Sequence, residues 1–158
     1  MRPHLEYSIS AWSVVTNYSK DKALIERIQH RFARTFPQLK KLTYEEKIDC
    51  LGIPTMEERR NHADLLHLFK MYKGLSSTPF SHFFSISSVM NTWGHTAKLI
   101  KSRCQLDTRR FSERVIDRWN CLDQEAIDSS TVNSFKNILQ RIRKTSMGFF
   151  MDLLVHLA

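Results

Sequence analysis

The stretch LTYEEKIDCLGIPTMEERR (Leu42–Arg60) decides the fold, because it contains two helix starts and one helix end. Thr43 and Thr55 each begin an S/T-x-x-E capping box, in which a hydroxyl and a carboxylate satisfy free backbone amides at a helix N-terminus. Between them, Gly52 supplies the left-handed residue that commonly ends a helix, and Pro54 follows it. The stretch therefore predicts two consecutive helices joined by a tight turn.

Apolar residues after this stretch recur at helical spacing and predict one long helix followed by two more. The long helix begins at Thr55 and is expected to end at Gly74, and the last of the three is expected to begin at Ser130 or Thr131. The predicted core positions are Leu65, Leu66, Leu68, Phe69 and Tyr72 in the first, Phe111, Val115, Trp119 and Leu122 in the second, and Val132, Phe135, Ile138, Leu139 and Ile142 in the third.

Two further helices are predicted upstream of the stretch. Leu5, Ile9 and Trp12 recur at helical spacing, and a second helix is expected to run from Ser19 until Pro37 ends it. This second helix has one apolar stripe, which we expect to face the core. The stripe is formed by Leu24, Ile25, Ile28, Phe32 and Phe36.

The remaining segments are interpreted as connections. Residues 76–94 form a long serine-rich connector, and its Phe80, Phe83 and Phe84 are expected to pack onto the body of the protein. The imperfect alternation at Ala97–Arg103 admits one short strand or hairpin. Four Gly and four Pro in 158 residues are too few for an all-β or disordered chain. The chain is predicted to be mainly α, a small helical bundle of about five to six helices in one compact domain.

The formal charge of +8 is clustered along the chain. Residues 20–41, 96–118 and 136–144 together carry +13, so the rest of the chain carries −5. Basic clusters favour polyanions such as RNA, DNA or acidic lipid, although a positive charge also confers solubility. The sequence therefore admits nucleic acid as a partner and does not require it.

The cysteine count and the apolar segments indicate an intracellular protein. Three widely spaced cysteines without a C-x-x-C pair are typical of reduced thiols in the cytoplasm or nucleus. The apolar tail MGFFMDLLVHLA holds Asp152 and is shorter than the about 20 residues of a spanning helix, so no membrane span is predicted.

Six strings of the sequence, taken together and in order, resemble consecutive blocks of one family. They are RPHLEYSISAW (Arg2–Trp12), LIERIQHRFART (Leu24–Thr35), LTYEEKIDCLGIPTMEERR (Leu42–Arg60), LLHLFKMYKGL (Leu65–Leu75), RCQLDTRRFSERVIDRWNCL (Arg103–Leu122) and STVNSFKNIL (Ser130–Leu139). Their order and spacing are similar to the region downstream of the polymerase palm in non-LTR (LINE-type) retrotransposon reverse transcriptases of the jockey-like and chicken-repeat-like groups.

The resemblance implies a helical thumb-like segment at 1–75, the connector at 76–94, a C-terminal extension with two helices at 95–144, and an apolar tail at 145–158 outside the resemblance. In the parent polypeptide these helices would pack against the palm and help to grip the template–primer.

The departures from the family predict a truncated, non-catalytic fragment of an RNA-directed DNA polymerase. The magnesium-binding pair of adjacent aspartates in the family's palm has no counterpart here, and no segment is large enough for the family's endonuclease. No cofactor is predicted. Without the palm, the Leu5, Ile9 and Trp12 stripe would face water, so self-association is expected.

Three basic sets are candidate contacts to nucleic acid: Lys22, Arg27, Arg31 and Arg34; Lys98, Lys101, Arg103, Arg109 and Arg110; and Arg141, Arg143 and Lys144. The alternative for the first set is a solvated face opposite the apolar stripe. The second set lies beside Trp93, a ring that can stack on a base but is equally a core candidate. The third set lies at a helix C-terminus, where cations complement the helix dipole in any case.

Other chemistry is weakly indicated. Only His62 and His67 approach the spacing of a zinc pair, but an offset of five residues directs them to different sides of a helix. They are interpreted as surface or packing residues, and no metal site is predicted. Arg59 and Arg60 lie beside two glutamates and are interpreted as locally charge-balanced rather than as contacts to nucleic acid.

Three functions remain open at this point. The first is a non-catalytic, weakly and non-specifically nucleic-acid-binding fragment of a retroelement polymerase. The second is a helical protein-interaction module whose basic faces are merely solvated, and the third is a genomic relic without selected function. Salt-sensitive nucleic-acid binding separates the first from the second.

Overall fold

The computed structural model describes residues 19–87, 94–101, 111–146 and 149–150, with side chains from residue 26 in the first helix and from residue 115 in the fourth. The helices are α1 (Ser19–Arg34), α2 (Tyr44–Leu51), α3 (Met56–Tyr72), α4 (Phe111–Asn120), α5 (Gln124–Ile127) and α6 (Val132–Thr145), and short 3-10 turns occupy Pro37–Leu39 and Phe80–His82. The predicted mainly α bundle of about five to six helices is confirmed.

Of the short strand predicted at Ala97–Arg103, the described residues 97–101 contain a single bridge. Ile86 and Leu99 form an isolated antiparallel pair, supported by a 2.7 Å hydrogen bond from the Ser87 N–H to the Lys98 carbonyl. Nothing longer than this bridge occurs as a strand in the described ranges. The bridge fastens the connector to the segment before α4.

The two predicted capping boxes are present. Thr43 caps α2, and at the start of α3 the Thr55 hydroxyl accepts a hydrogen bond from the Glu58 N–H at 3.1 Å. In return the Glu58 carboxylate accepts from the Thr55 N–H at 2.9 Å. Gly52 ends α2 with φ 62°, and Gly74 follows α3 with φ 69°, both in the left-handed region that favours glycine. These helix ends are local properties of the sequence.

Replacing Thr55 by Ala should lower the free energy of unfolding by about 1 kcal/mol, the usual loss when a helix cap is removed. The Glu58 N–H would lose its acceptor, while Thr55→Ser would keep it and should change little. Thermal unfolding followed by circular dichroism measures both variants. Equal melting of Thr55→Ala and the unchanged protein would show that the capping box does not stabilise α3.

Helix α3 lies at the centre of the bundle and packs against α1, α4 and α6. Its Leu65, Leu68 and Phe69 side chains are completely buried. The ring of Phe69 stacks on that of Phe135 in α6, with 4.2 Å between centroids and 8° between planes. Each such side chain contributes about 1.5–3 kcal/mol by leaving water. The segments before the connector and after it therefore share one core.

Trp119 of α4 joins this core to the segment before α4. The side chain is 0% exposed, and its Nε1–H donates to the Ala97 carbonyl at 2.9 Å. The His95 Nδ1 accepts from the Ala97 N–H at 3.2 Å, so the ring proton lies on Nε2, which donates to the Trp119 carbonyl at 2.9 Å. Burial lowers the pKa of His95, in keeping with this neutral form. His95 is a packing residue.

The connector packs onto the bundle through two of its three phenylalanines. Phe84 is buried, and Phe80 packs against the core beside the ring of Tyr72. Phe83 is half exposed, so the prediction was wrong for that ring. Phe80 and Phe84 therefore hold this part of the connector against the bundle.

Helix α1 does not bury the apolar stripe predicted for it. Ile28 and Phe32 are 39% and 50% exposed, whereas Gln29 and Ala33 are buried. The side-chain amide of Gln29 donates to the carbonyl of Pro54 at 2.9 Å, which joins α1 to the turn before α3. A polar, long-range bond thus helps to set the rotation of α1, and Ile28 and Phe32 turn outward.

The tail contributes to the core beyond the end of the resemblance. Phe150 is 2% exposed, and its carbonyl accepts a 2.7 Å hydrogen bond from the side-chain amide of Asn61 in α3. The neighbouring Phe149 carbonyl accepts from Arg118 of α4 at 3.4 Å. The predicted helix containing Leu5, Ile9 and Trp12 lies outside the described residues.

Candidate nucleic-acid interface

A groove of about 720 Å³ runs between α3 and α6. Its cations are Arg59, Lys136, Arg143 and Lys144, its carboxylate is Glu58, and its remaining lining residues are Gly52, Pro54, His62, Ala63, Leu66, Gln140 and Phe150. Four cations against one carboxylate make this a positively charged groove. Its floor includes apolar side chains, so a ligand would meet both kinds of surface.

Helical spacing explains why these residues share the groove. Residues three, four, seven or eight positions apart lie on one side of a helix. The groove residues of α6 have this spacing, and so do those of α3. They are Lys136, Gln140, Arg143 and Lys144 in α6, and Arg59, His62, Ala63 and Leu66 in α3. A charge pattern on one side of α6 was therefore present in the sequence, but it did not reveal that α3 lies opposite.

Glu58 connects the capping box to the groove. One carboxylate oxygen caps α3, and the other lies 3.5 Å from the Arg143 Nε. The two side chains are 17% and 31% exposed, so water screens this ion pair less than one on the open surface. Arg143, which the sequence placed among the nucleic-acid contacts, therefore has a structural partner inside the protein.

Lys136 and Lys144 are exposed, and neither has an ion-pair partner among the described residues. His62 lines the same groove, and its ring lies 5.9 Å from that of Phe150. Its pKa is lowered by burial and by the charges of Lys136 and Arg143. A neutral His62 leaves the charge of the groove to the lysines and arginines.

The basic face predicted on α1 is partly assembled. Arg27, Arg31 and Arg34 line one cavity of about 580 Å³ together with His30. The ring of His30 stacks on Tyr44 with 3.4 Å between centroids. Three of the four candidate cations are thus brought together, whereas the side chain of Lys22 lies outside the described part of α1.

Tyr44 anchors this face of α1 to α2. Its hydroxyl donates to the Glu26 carboxylate at 2.8 Å, and the pKa of Tyr44 is raised by burial and by that hydrogen bond. The phenol therefore stays protonated and keeps donating to α1. The arginines of the cavity project from a helix that is held by two contacts, one with Tyr44 and one through Gln29.

The patch predicted beside Trp93 is only partly described. Lys101 forms a 2.8 Å ion pair with Asp117, and Lys98 approaches Gly94. The positions of Trp93 and of Arg103, Arg109 and Arg110 lie outside the described residues, so their proposed contacts stay predictions. Arg141, from the third set, is paired with Glu125 at 2.5 Å.

Arg59 and Arg60, which the sequence grouped together as charge-balanced, lie in different surroundings. Arg59 lines the α3–α6 groove. Arg60 is 7% exposed and lies on the buried side of α3, where its Nε–H donates to the Met56 carbonyl at 3.3 Å. Adjacent residues on a helix point about 100° apart, which is why the two arginines have different surroundings.

The rest of the described structure offers no second kind of site. No cluster of three His, Cys, Asp or Glu side chains that could hold a metal occurs among the described residues. Within the same ranges, no helix is both long enough and apolar enough to cross a membrane. Cys50 and Cys121 are free and exposed.

Comparison with family models, with curated proteins and with solved structures finds no significant match to this chain.

Proposed function

We propose that this chain corresponds to the C-terminal region of a non-LTR retrotransposon reverse transcriptase and binds nucleic acid without catalysing polymerisation. The observation that carries the proposal is the α3–α6 groove. The groove brings Arg59 of α3 onto the same surface as Lys136 and Lys144 of α6, although α3 and α6 are far apart in the sequence. The six family-like strings and the absence of adjacent aspartates from the sequence support the same conclusion.

The binding we expect is electrostatic and indifferent to sequence. Cations on a protein surface contact phosphates and release condensed counterions, so affinity falls as salt rises. Lysines suit this task because they bind phosphate as mobile point charges. The α1 cavity, with Arg27, Arg31 and Arg34, offers a second contact area of the same sign.

A helical protein-interaction module is the second candidate, and one observation favours it. Ile28 and Phe32 of α1 lie side by side on the helix surface and are 39% and 50% exposed. Exposed apolar residues of this kind can mark a contact with another protein. Such a module would bind its partner with little dependence on salt, unlike the proposed nucleic-acid contact.

Titration of a labelled oligonucleotide by fluorescence anisotropy at several salt concentrations tests the proposal. We expect a dissociation constant of about 10⁻⁴ to 10⁻⁶ M near physiological salt, the range of non-specific binding. Replacing Lys136 and Lys144 by Gln should weaken binding and reduce the slope of log affinity against log salt by about two, one unit for each lost phosphate contact.

The matched control is the double variant Lys101→Gln/Arg141→Gln. It removes the same charge from side chains that are exposed but already paired with Asp117 and Glu125. Its slope should stay close to that of the unchanged protein. If both double variants lose the same affinity, net charge rather than the groove controls binding. If the unchanged protein does not bind at all, the proposed function is wrong.

A further inference from the structure

The groove between α3 and α6 has an arrangement that phosphate binding alone does not require. Pro54, Ala63 and Leu66 contribute apolar surface, and the ring of His62 lies among them. The exposed Lys136 and Lys144 lie on the α6 side. By contrast, the described lining of the α1 cavity consists of three arginines and a histidine. Of these two cavities, it is the α3–α6 groove that combines apolar side chains with exposed ammonium groups.

The spacing of the two lysines fits a strand that lies along α6. Eight residues of helix separate Lys136 from Lys144, which is a rise of about 12 Å at 1.5 Å per residue. Successive phosphates of a nucleic-acid strand are closer together than this, so the two ammonium groups reach different phosphates of one strand. A nucleotide between them would lie opposite the apolar floor.

Building on the proposed function, we infer that the α3–α6 groove is a site for single-stranded nucleic acid, in which one base lies over Ala63 and Leu66, neighbours on one side of α3, while flanking phosphates contact Lys136 and Lys144. The groove volume of about 720 Å³ falls in the usual range of small-ligand sites, roughly 300–1,000 Å³. Sites for single strands combine a basic track with surfaces on which bases lie flat.

A duplex cannot use this floor in the same way. Its bases are stacked and paired, and a base must be unstacked before it can enter a pocket. A duplex therefore has access to the lysines and not to Ala63 or Leu66. The site should distinguish single strands from duplexes, whereas purely electrostatic contacts favour the higher charge density of the duplex.

The test compares a labelled oligothymidylate of about twelve nucleotides, within the site sizes of single-strand binders, with the same strand annealed to its complement. The full chain should bind the single strand about tenfold more tightly than the duplex, the effect of one well-placed base. Ala63→Gln fills the groove with an uncharged polar side chain, adds no ring on which a base could stack, and should abolish this preference. Ser77→Gln, at an exposed position outside the groove, is the matched control and should keep it.

Glu58→Gln provides a second variant that does not fill the groove. Glutamine can still accept the hydrogen bond of the capping box, but the groove loses its carboxylate. Single-strand affinity should rise about threefold, and by more than duplex affinity, because the strand lies closer to residue 58.

The outcomes separate the two proposals. Equal affinity for single strand and duplex, or an equal gain for both with Glu58→Gln, overturns the single-strand site and leaves non-specific binding in place. Retention of the single-strand preference by a folded Ala63→Gln protein also overturns the site. No binding of either nucleic acid by the unchanged chain overturns both proposals.

Discussion

Arg60→Glu is expected to lower the free energy of unfolding strongly, whereas Arg59→Glu, the same change one residue earlier, is expected to leave it almost unchanged. Arg60 is 7% exposed and shares the buried side of α3 with Glu57 and Asp64, which are 6% and 2% exposed. Residues three and four positions apart are neighbours on a helix, so the new carboxylate would lie between two buried carboxylates. Disrupting buried charges in this way costs about 3–5 kcal/mol, a large part of a typical domain's stability.

Urea unfolding followed by circular dichroism measures both variants. Arg59 is partly exposed at the groove, so Arg59→Glu should change the free energy of unfolding by no more than about 0.5 kcal/mol. Arg60→Lys retains the buried charge and should be milder than Arg60→Glu. Similar stabilities of the two glutamate variants would contradict the placement of Arg60 inside the bundle.

Trp119→Ala should lower the free energy of unfolding by a similar amount, for a different reason. The indole is 0% exposed and is in contact with the rings of Tyr72, His95 and Phe135. Its removal leaves a large cavity, and substitutions of this kind cost about 3–5 kcal/mol. The Ala97 carbonyl would also lose its donor.

A conservative variant separates these two effects. Trp119→Phe keeps much of the ring but cannot donate to the Ala97 carbonyl, so about 1–3 kcal/mol should be lost through an unsatisfied buried acceptor. The same urea experiment gives both values. A loss below about 1 kcal/mol for Trp119→Ala, within the range of ordinary surface changes, would show that the indole is not part of the core.

The helix boundaries were predictable because they depend on neighbouring residues. Thr43, Thr55 and Gly52 act within one turn of the helices that they begin or end, and Thr131 caps α6 as the sequence indicated. The buried positions of α3 and α6 were predictable for a related reason. Leu65, Phe69, Phe135 and Leu139 recur at the spacing of one helix face, and the core forms wherever such faces meet.

The rotation of α1 and the groove were not predictable in this way. Gln29 is buried because the Pro54 carbonyl, 25 residues later, accepts its hydrogen bond, and no local pattern records that contact. Likewise, the sequence places Arg59 among acidic neighbours, and only the packing of α3 beside α6 brings it into the same groove as Lys136. The spacing of charged residues along a helix shows that one of its sides is charged. It does not show which other helix packs against that side.

The burial of Phe150 changes where this protein can be divided. The family-like strings stop before this residue, and a boundary drawn by resemblance would fall near Lys144. Such a cut would remove the carbonyl that receives the Asn61 amide and would open the floor of the groove to water. The stretch that carries the family-like strings is therefore shorter than the stretch that forms the core, and a fragment meant to fold should extend past Phe150.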